Sequence, residues 1–275
     1  MRWTKNWPRS SVSKEGKIYF ASDFHLGAPD HDSSLERERK IVRWLKSIEN
    51  DCRELFLLGD LFDFWFEYRE AVPKGFVRLL GKLGEMSDSG IPIHFFGGNH
   101  DIWTYGYFEK ELGIKVYKKP LVVELQGKKC YLAHGDGLGP GDWDYKFLKK
   151  VFNNGFFQWL FARIHPNTGL AAGNYFSSRS RNAHSDGGAE FHDQGEYLTQ
   201  YCQELLKKEH FAYFVFGHRH LPLQVELSDD STYFNLGDMI GYNTYGVMEN
   251  GEFRIDHFEK DPSDRFLIKS TNRLE

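Results

Sequence analysis

Five short clusters carry the side-chain types that bind hard or borderline metal ions: Asp23-Phe-His25, Gly59-Asp60-Leu-Phe-Asp63, Gly98-Asn99-His100-Asp101, His134-Gly-Asp136 and Gly217-His218-Arg-His220. Carboxylate, amide and imidazole donors with no cysteine among them suit Mn²⁺, Fe²⁺ or Zn²⁺. One ion needs about four protein ligands at most, and Asp23, His25, Asp60, Asn99, His134, His218 and His220 exceed that. The supply fits two ions sharing one carboxylate. Ion pairs about 3.5–4 Å apart clamp a phosphoryl group and furnish a nucleophile near neutral pH. Taken singly, each cluster is an ordinary turn, because Asp and Asn favour loops. The conjunction is what points to a metal site, since all five follow an apolar run.

Those runs are the elements that must hold the donors. Strands are expected over Lys17–Ser22, Leu55–Leu58, Ile91–Phe96, Lys129–Ala133 and Phe211–Phe216. Alternate residues of extended chain share a face, so Asp23 and His25 reach one site while Phe24 turns to the core. Gly97 and Gly98 permit a tight turn, through positive φ or the missing Cβ. Apolar spacing predicts helices over Leu35–Glu49, with an N-cap among Asp32, Ser33 and Ser34, over Lys74–Met86, over Tyr105–Leu112 and over about Glu190–Lys208. Further strands are expected at Lys115–Tyr117, Leu121–Leu125, Leu223–Leu227, Thr232–Asn235, Thr244–Met248 and Phe253–Phe258. Alternating strands and helices place the chain in the α/β class. From 142 to 182, Trp143, Phe147, Phe156, Phe157 and Phe161 recur at helical spacing with a break at Asn153-Asn-Gly155. Two helical segments are expected there, ending in Ser177-Ser-Arg-Ser-Arg-Asn182. The polar tail past Asp261 is expected to fray.

No linker divides the 275 residues, so one domain over 1–275 with a helical insert at 142–185 is expected. A composition of 40% hydrophobic and 16% aromatic residues excludes a disordered chain. The net charge of −4 gives no global field to grip nucleic acid. Three scattered cysteines make no thiolate zinc site and suit a reducing cytosol. No run of about 18 apolar residues predicts a transmembrane helix, and the first residues lack the apolar core of a signal peptide. A cytoplasmic location is expected.

Between residues 17 and about 258, the ordered series of clusters resembles the calcineurin-like metallophosphoesterase superfamily. The resemblance implies an α/β fold: a four-layer α/β/β/α sandwich with an inserted helical cap. It also implies two divalent metal ions, Mn²⁺ first, with Fe²⁺ or Zn²⁺ as alternatives. One ion would take Asp23, His25 and His220, the other Asn99, His134 and His218, with Asp60 bridging. His100 would stabilise or protonate, held by Asp101.

Within the superfamily, Gly59-Asp-Leu-Phe-Asp-Phe-Trp65, Asp88-Ser-Gly-Ile-Pro92, His134-Gly-Asp136 and the insert are similar to the UDP-2,3-diacylglucosamine hydrolases of lipid A biosynthesis. These cleave a diphosphate, giving UMP and a diacylglucosamine 1-phosphate. The likeness implies a nucleotide-diphosphate lipid substrate, a peripheral position on the inner membrane, and no protein partner. It implies a cap over acyl chains, with Lys146, Lys149, Lys150 and Arg163 near lipid headgroups. Trp65 would shape the lipid pocket, and Arg179, Arg181 and Asn182 would grip the diphosphate. Each has a plainer alternative: aromatic stripes and Trp65 as core, the arginines as a solvated basic turn. One departure stands out, since the best-known branch has arginine where His100 stands. A phosphate leaving group, with a second pKa of about 6, departs without a proton, whereas an alkoxide needs one. Histidine can serve both. Hydrolysis of a soluble phosphomonoester or phosphodiester therefore stays open. So does a non-catalytic scaffold, although scaffolds have no need of seven polar groups that are costly to desolvate.

Overall fold

The computed structural model describes residues 16–141, 143–185, 196–261 and 266–273. In chain order its first elements are β1 (Lys17–Ala21), α1 (His31–Ile48), β2 (Cys52–Leu57), α2 (Val77–Asp88), β3 (Ile93–Phe96), α3 (Tyr107–Leu112), β4 (Lys115–Tyr117), β5 (Leu121–Leu125) and β6 (Lys128–Leu132). Then come α4 (Trp143–Phe152), α5 (Gly155–Phe161), α6 (Pro166–Ser185), α7 (Tyr197–Leu206), β7 (Tyr213–Phe216), β8 (Pro222–Ser228), β9 (Ser231–Leu236), β10 (Thr244–Glu249), β11 (Glu252–His257) and β12 (Ile268–Thr271).

The strands form two six-stranded sheets, ordered β11-β10-β1-β2-β3-β4 and β12-β8-β9-β7-β6-β5. Period-two alternation sorts every central strand into two faces. Ile18, Phe20, Phe56, Leu58 and Phe96 meet Leu132, Val215, Phe234 and Leu236 in the layer between the sheets. Tyr19, Ala21, Leu55, Leu57 and Phe95 face the other way, onto Ile41, Trp44 and Leu45 of α1 and Leu79 and Leu83 of α2. On the far side, Tyr131, Phe214, Phe216 and Tyr233 pack against Leu198 and Cys202 of α7. The result is the expected four-layer α/β/β/α arrangement. Each fully buried aliphatic or aromatic side chain stabilises it by about 1.5–3 kcal/mol.

β1, β2 and β3 pair in parallel, as do β6 and β7. Their carboxyl ends therefore open along one edge of the sandwich, where α/β proteins place ligands. All five polar clusters lie in the loops leaving those strands. No helix among the described residues is long and apolar enough to cross a membrane.

Several boundaries depart from expectation. The N-cap of α1 is Asp30, whose carboxylate accepts from the Ser33 N–H at 2.9 Å, and not one of Asp32, Ser33 or Ser34. The 142–182 region holds three helices instead of two. The run Ser177–Asn182 lies inside α6 instead of ending it, so the expected basic turn is helix. The tail returns to the sheet as β12, parallel to β8. A backbone ladder on an edge strand asks little of side-chain pattern, so this strand is silent in hydropathy.

Candidate metal centre

The donors gather in two groups: Asp23, His25 and His220, and Asp60, His134 and His218, the atoms of each group lying within 4.8 Å of one another. His25 Nε2 is 3.2 Å from His220 Nε2, and His220 Nε2 is 3.3 Å from Asp23 Oδ1. His134 Nε2 lies 3.2 Å from Asp60 Oδ2 and 3.2 Å from Asn99 Oδ1. Asp60 Oδ2 is also 3.6 Å from His25 Nε2, which joins the groups through one carboxylate. Ligands about 2.1 Å from a common ion sit about 3.0–3.5 Å from each other. The observed separations are the edges of such polyhedra.

Tautomers supply an independent test of fit. His134 Nδ1 is 2.6 Å from the Leu58 carbonyl, which can only accept, so that nitrogen carries a proton. In the neutral ring, Nε2 is then a bare lone pair facing two acceptor oxygens. A positive charge beside Asp60 Oδ2 reconciles that lone pair with the carboxylate at this range. Without a metal, a proton fills the role: burial opposes charging His134, yet Asp60, with Asp23 and Asp136, raises it to about 10. His25, likewise opposed by burial, is raised to about 9 by Asp23, Asp63 and Asp60. His218 is driven down to about 3 by desolvation and the His134 charge. A divalent cation held by these residues would do the work of the protons. The residues fit the two-ion expectation.

The backbone is bent to make this possible. Asp23, His25, Asp60, His218 and His220 all have φ between 44° and 70°, the left-handed region that L-residues avoid. Such conformations, at about 1–3 kcal/mol each, persist only where surrounding contacts dictate them. Those contacts are present. Arg37 Nη1, from α1, donates to the carbonyls of Phe24, His25 and Ala28 at 3.2, 2.9 and 3.0 Å. The His218 N–H donates to Asp23 Oδ2 at 3.0 Å, and the His100 N–H to Asp60 Oδ1 at 2.9 Å. Gly98 serves by proximity alone. A Cβ there would fall 2.2 Å from Asp60 Oδ1, and neither Gly97 nor Gly98 has positive φ.

A second tier holds the imidazoles. His220 Nδ1 is 3.4 Å from Asp238 Oδ2, and Asp238 Oδ1 accepts from the N–H groups of Ile240, Gly241 and Tyr242. His25 Nδ1 is 3.5 Å from Asp63 Oδ1. Carboxylates behind ligating histidines fix the tautomer and raise basicity. Asp238 went unnoticed in the sequence although Gly237-Asp238 follows a strand just as Gly59-Asp60 does. Asn99, His100, His218 and His220 are half-buried while Asp23, His25, Asp60 and His134 are buried, so the cradle opens on one side.

Not every expected role survives. Asp101 does not hold the His100 ring: its carboxylate accepts from Gly98 N–H at 2.7 Å, Leu61 N–H at 2.7 Å and Asp60 N–H at 3.3 Å. It ties two ligand loops together, and backbone donors outcompete the imidazole for it. His100 Nδ1 instead meets the Asp63 carbonyl at 2.8 Å and Ser177 Oγ at 2.6 Å. Trp65 is 0% exposed, packed on Phe62, Tyr107 and Phe108, and has no face to offer a lipid. Lys149 donates to Asp136 Oδ2 at 2.5 Å and to the Asp136 carbonyl at 3.0 Å, which removes it from the expected headgroup contacts. Arg179 is exposed on α6. The side chains of Arg181 and Asn182 lie outside the described residues.

The model of the calcineurin-like phosphoesterases matches residues 16–222. The chain belongs to that family. Within it, a UDP-2,3-diacylglucosamine hydrolase of Porphyromonas gingivalis is 38% identical over 256 residues, covering 88% of this chain and 98% of the relative. One of Aeromonas hydrophila is 27% identical over 248 residues, covering 86% and 96%. Among solved structures, a predicted phosphoesterase of Streptococcus pneumoniae aligns at 16% identity with a TM-score of 0.39, over 89% of this chain and 90% of that one. Vacuolar protein sorting 29 of Cryptosporidium parvum aligns at 10% identity and 0.42, over 88% and 96%. At those scores neither decides the fold, which rests on the facing sheets and the family match.

Proposed function

We propose that this chain hydrolyses the diphosphate of UDP-2,3-diacylglucosamine, releasing UMP and 2,3-diacylglucosamine 1-phosphate. The phosphoryl chemistry rests on one observation: acceptor atoms face one another at 3.2 Å around Asp60 from both sheets. Likeness across 98% of the Porphyromonas gingivalis hydrolase supports the substrate.

Asp23, His25 and His220 would hold one cation, and Asn99, His134 and His218 the other, with Asp60 shared between them. Mn²⁺ suits this mixture of oxygen and imidazole donors. Bound there, the pair supplies a nucleophile near neutral pH and charge to meet the phosphoryl oxygens. The chain itself does the positioning. His100, with Nδ1 committed to the Asp63 carbonyl, keeps Nε2 for the phosphoryl group. Burial lowers the His100 pKa and keeps the ring neutral before substrate binds; the anionic phosphoryl group would bring the second proton to Nε2, which then donates to an oxygen that gains charge in the transition state. Whichever phosphorus is attacked, the departing group is a phosphate monoester and needs no proton. Asp101 keeps the loops of Asp60 and Asn99 in register and touches no reacting atom.

The helices α4–α6 supply the lipid side. Trp143, Phe147, Phe156 and Phe176 are 63–79% exposed, while Phe152, Phe161 and Leu170 pack inward on Phe64, Phe66 and Trp103. The Arg163 guanidinium lies 5.0 Å over Trp159 and the Lys146 ammonium 5.4 Å over Trp143. Aromatic groups with adjacent cations suit an anionic membrane interface. We place the protein against the cytoplasmic face of the inner membrane, within one domain whose insert spans 142–185.

Incubating the purified protein and Mn²⁺ with UDP-2,3-diacylglucosamine should release UMP well above the metal-free blank. No UMP above that blank would defeat the substrate assignment.

A further inference from the structure

We infer that Ser177 is a positioning residue for His100, carried into place by the tightly packed face of α6. The inference deepens the proposed function, because it takes His100 to act at the phosphoryl group. Gly169, Gly173 and Ser177 recur at four-residue steps and so share one side of the helix. A Cβ on Gly173 would fall 2.3 Å from the Phe64 ring, and one on Gly169 2.2 Å from Tyr68 Oη. The helix therefore lies nearer to the loop after β2 than any larger residue allows. That approach brings Ser177 Oγ to 2.6 Å from His100 Nδ1 and 2.5 Å from the Asp63 carbonyl.

Three atoms close a triangle: Ser177 Oγ, His100 Nδ1 and the Asp63 oxygen, the last two 2.8 Å apart. A carbonyl oxygen only accepts, so His100 carries its proton on Nδ1, and the serine O–H also points to that carbonyl. The ring plane and the tautomer are fixed together, leaving Nε2 as the nitrogen available for chemistry. Ser177 is 7% exposed whereas its neighbours Tyr175 and Phe176 are 61% and 66% exposed, so it is no solvated surface serine. Through this one oxygen, a helix outside both sheets reaches the reacting centre.

The test compares Ser177→Ala and Ser177→Thr with the parent chain, all zinc-loaded and checked for unchanged melting, and adds Gly173→Ala, which overpacks Phe64 and melts lower. Losing one neutral hydrogen bond should lower kcat about fivefold to tenfold in Ser177→Ala, with KM unchanged and most of the loss restored by Ser177→Thr. Gly173→Ala should reproduce the kcat loss and add little to it in the double variant. Long-range ¹H–¹⁵N spectra of histidine-labelled protein, with His100 assigned through His100→Gln, should show the Nδ1–H tautomer alone, and a mixture in Ser177→Ala, where the ring is released to turn away from the Asp63 carbonyl. An Nε2–H tautomer in the parent chain, or a Ser177→Ala variant matching the parent in both kcat and tautomer, would overturn the inference. A chain inactive on every phosphoester tried would instead refute the phosphoesterase reading, and the tautomer spectra would still decide the role of Ser177.

Discussion

The metal cradle and the α4–α6 helices invert the usual distribution of residues in opposite directions. In the cradle, carboxylates and imidazoles are inside, with Asp23 at 0% and Asp60 at 1% exposure. On the helices, aromatics are outside, with Trp143 at 79% and Phe147 at 70%. Burying an ionised group is costly unless opposite charge meets it, and an exposed apolar patch marks a surface waiting for a partner. The cradle answers its cost internally by pairing carboxylates with imidazoles, Asp60 with His134 and Asp238 with His220, and the cations its geometry fits would add to that. Among the described residues, nothing covers the exposed rings of the helices. On the proposed function, two ions would complete one region and something greasy the other, and a lipid whose diphosphate must reach those ions would satisfy both.

The largest effect should come from the cradle. Asp60→Ala removes the carboxylate that joins the two donor groups, so metal analysis should find bound ions largely lost and turnover down at least about 10³-fold. Full occupancy there would dismiss the bridging role. Asp238→Ala acts one layer further out, where removing a partner of a ligating histidine costs about 10–100-fold in metal affinity. Calorimetric titration with Mn²⁺ measures it, and unchanged affinity would detach Asp238 from the centre. The smallest change in stability belongs to the helices. Replacing Trp143, Phe147 and Phe156 together by serine should shift folding stability by no more than about 0.5 kcal/mol for each site. Retention on anionic vesicles should nonetheless fall about tenfold while hydrolysis of a soluble aryl phosphodiester stays constant. A melting point lowered by many degrees would show that these rings are core and would dissolve the contrast between the regions.

Much of the cradle is legible in the sequence, and the reason is periodicity. Asp23 and His25 stand two apart at the end of an apolar strand, and alternation alone sends them to one place. The strands were equally plain, since Phe20, Phe56 and Phe234 occupy positions that only a doubly covered sheet buries. What hid were contacts chosen by three-dimensional competition. Asp101 sits next to His100 in sequence, yet three backbone N–H groups claim its carboxylate. Ser177 lies 77 residues from His100, and nothing local tells a helical serine from one in a basic turn. Trp65 falls in a ligand-bearing loop but turns to the core, a choice set by Phe62 and Phe108. β12 escaped because pairing at an edge needs backbone more than side chains.

One consequence follows from how the donors divide between the sheets. Asp23, His25, Asp60 and Asn99 leave one sheet, and His134, His218 and His220 leave the other. The distance at which donors from the two sheets face each other is therefore gauged by the slab of rings between the sheets, where Phe234 of one meets Phe253 of the other, tilted, at 4.5 Å. That slab works as the jaw spacing of a calliper: thinning it by a single truncated ring, far from any ligand, would change the reach of the instrument without touching its tips.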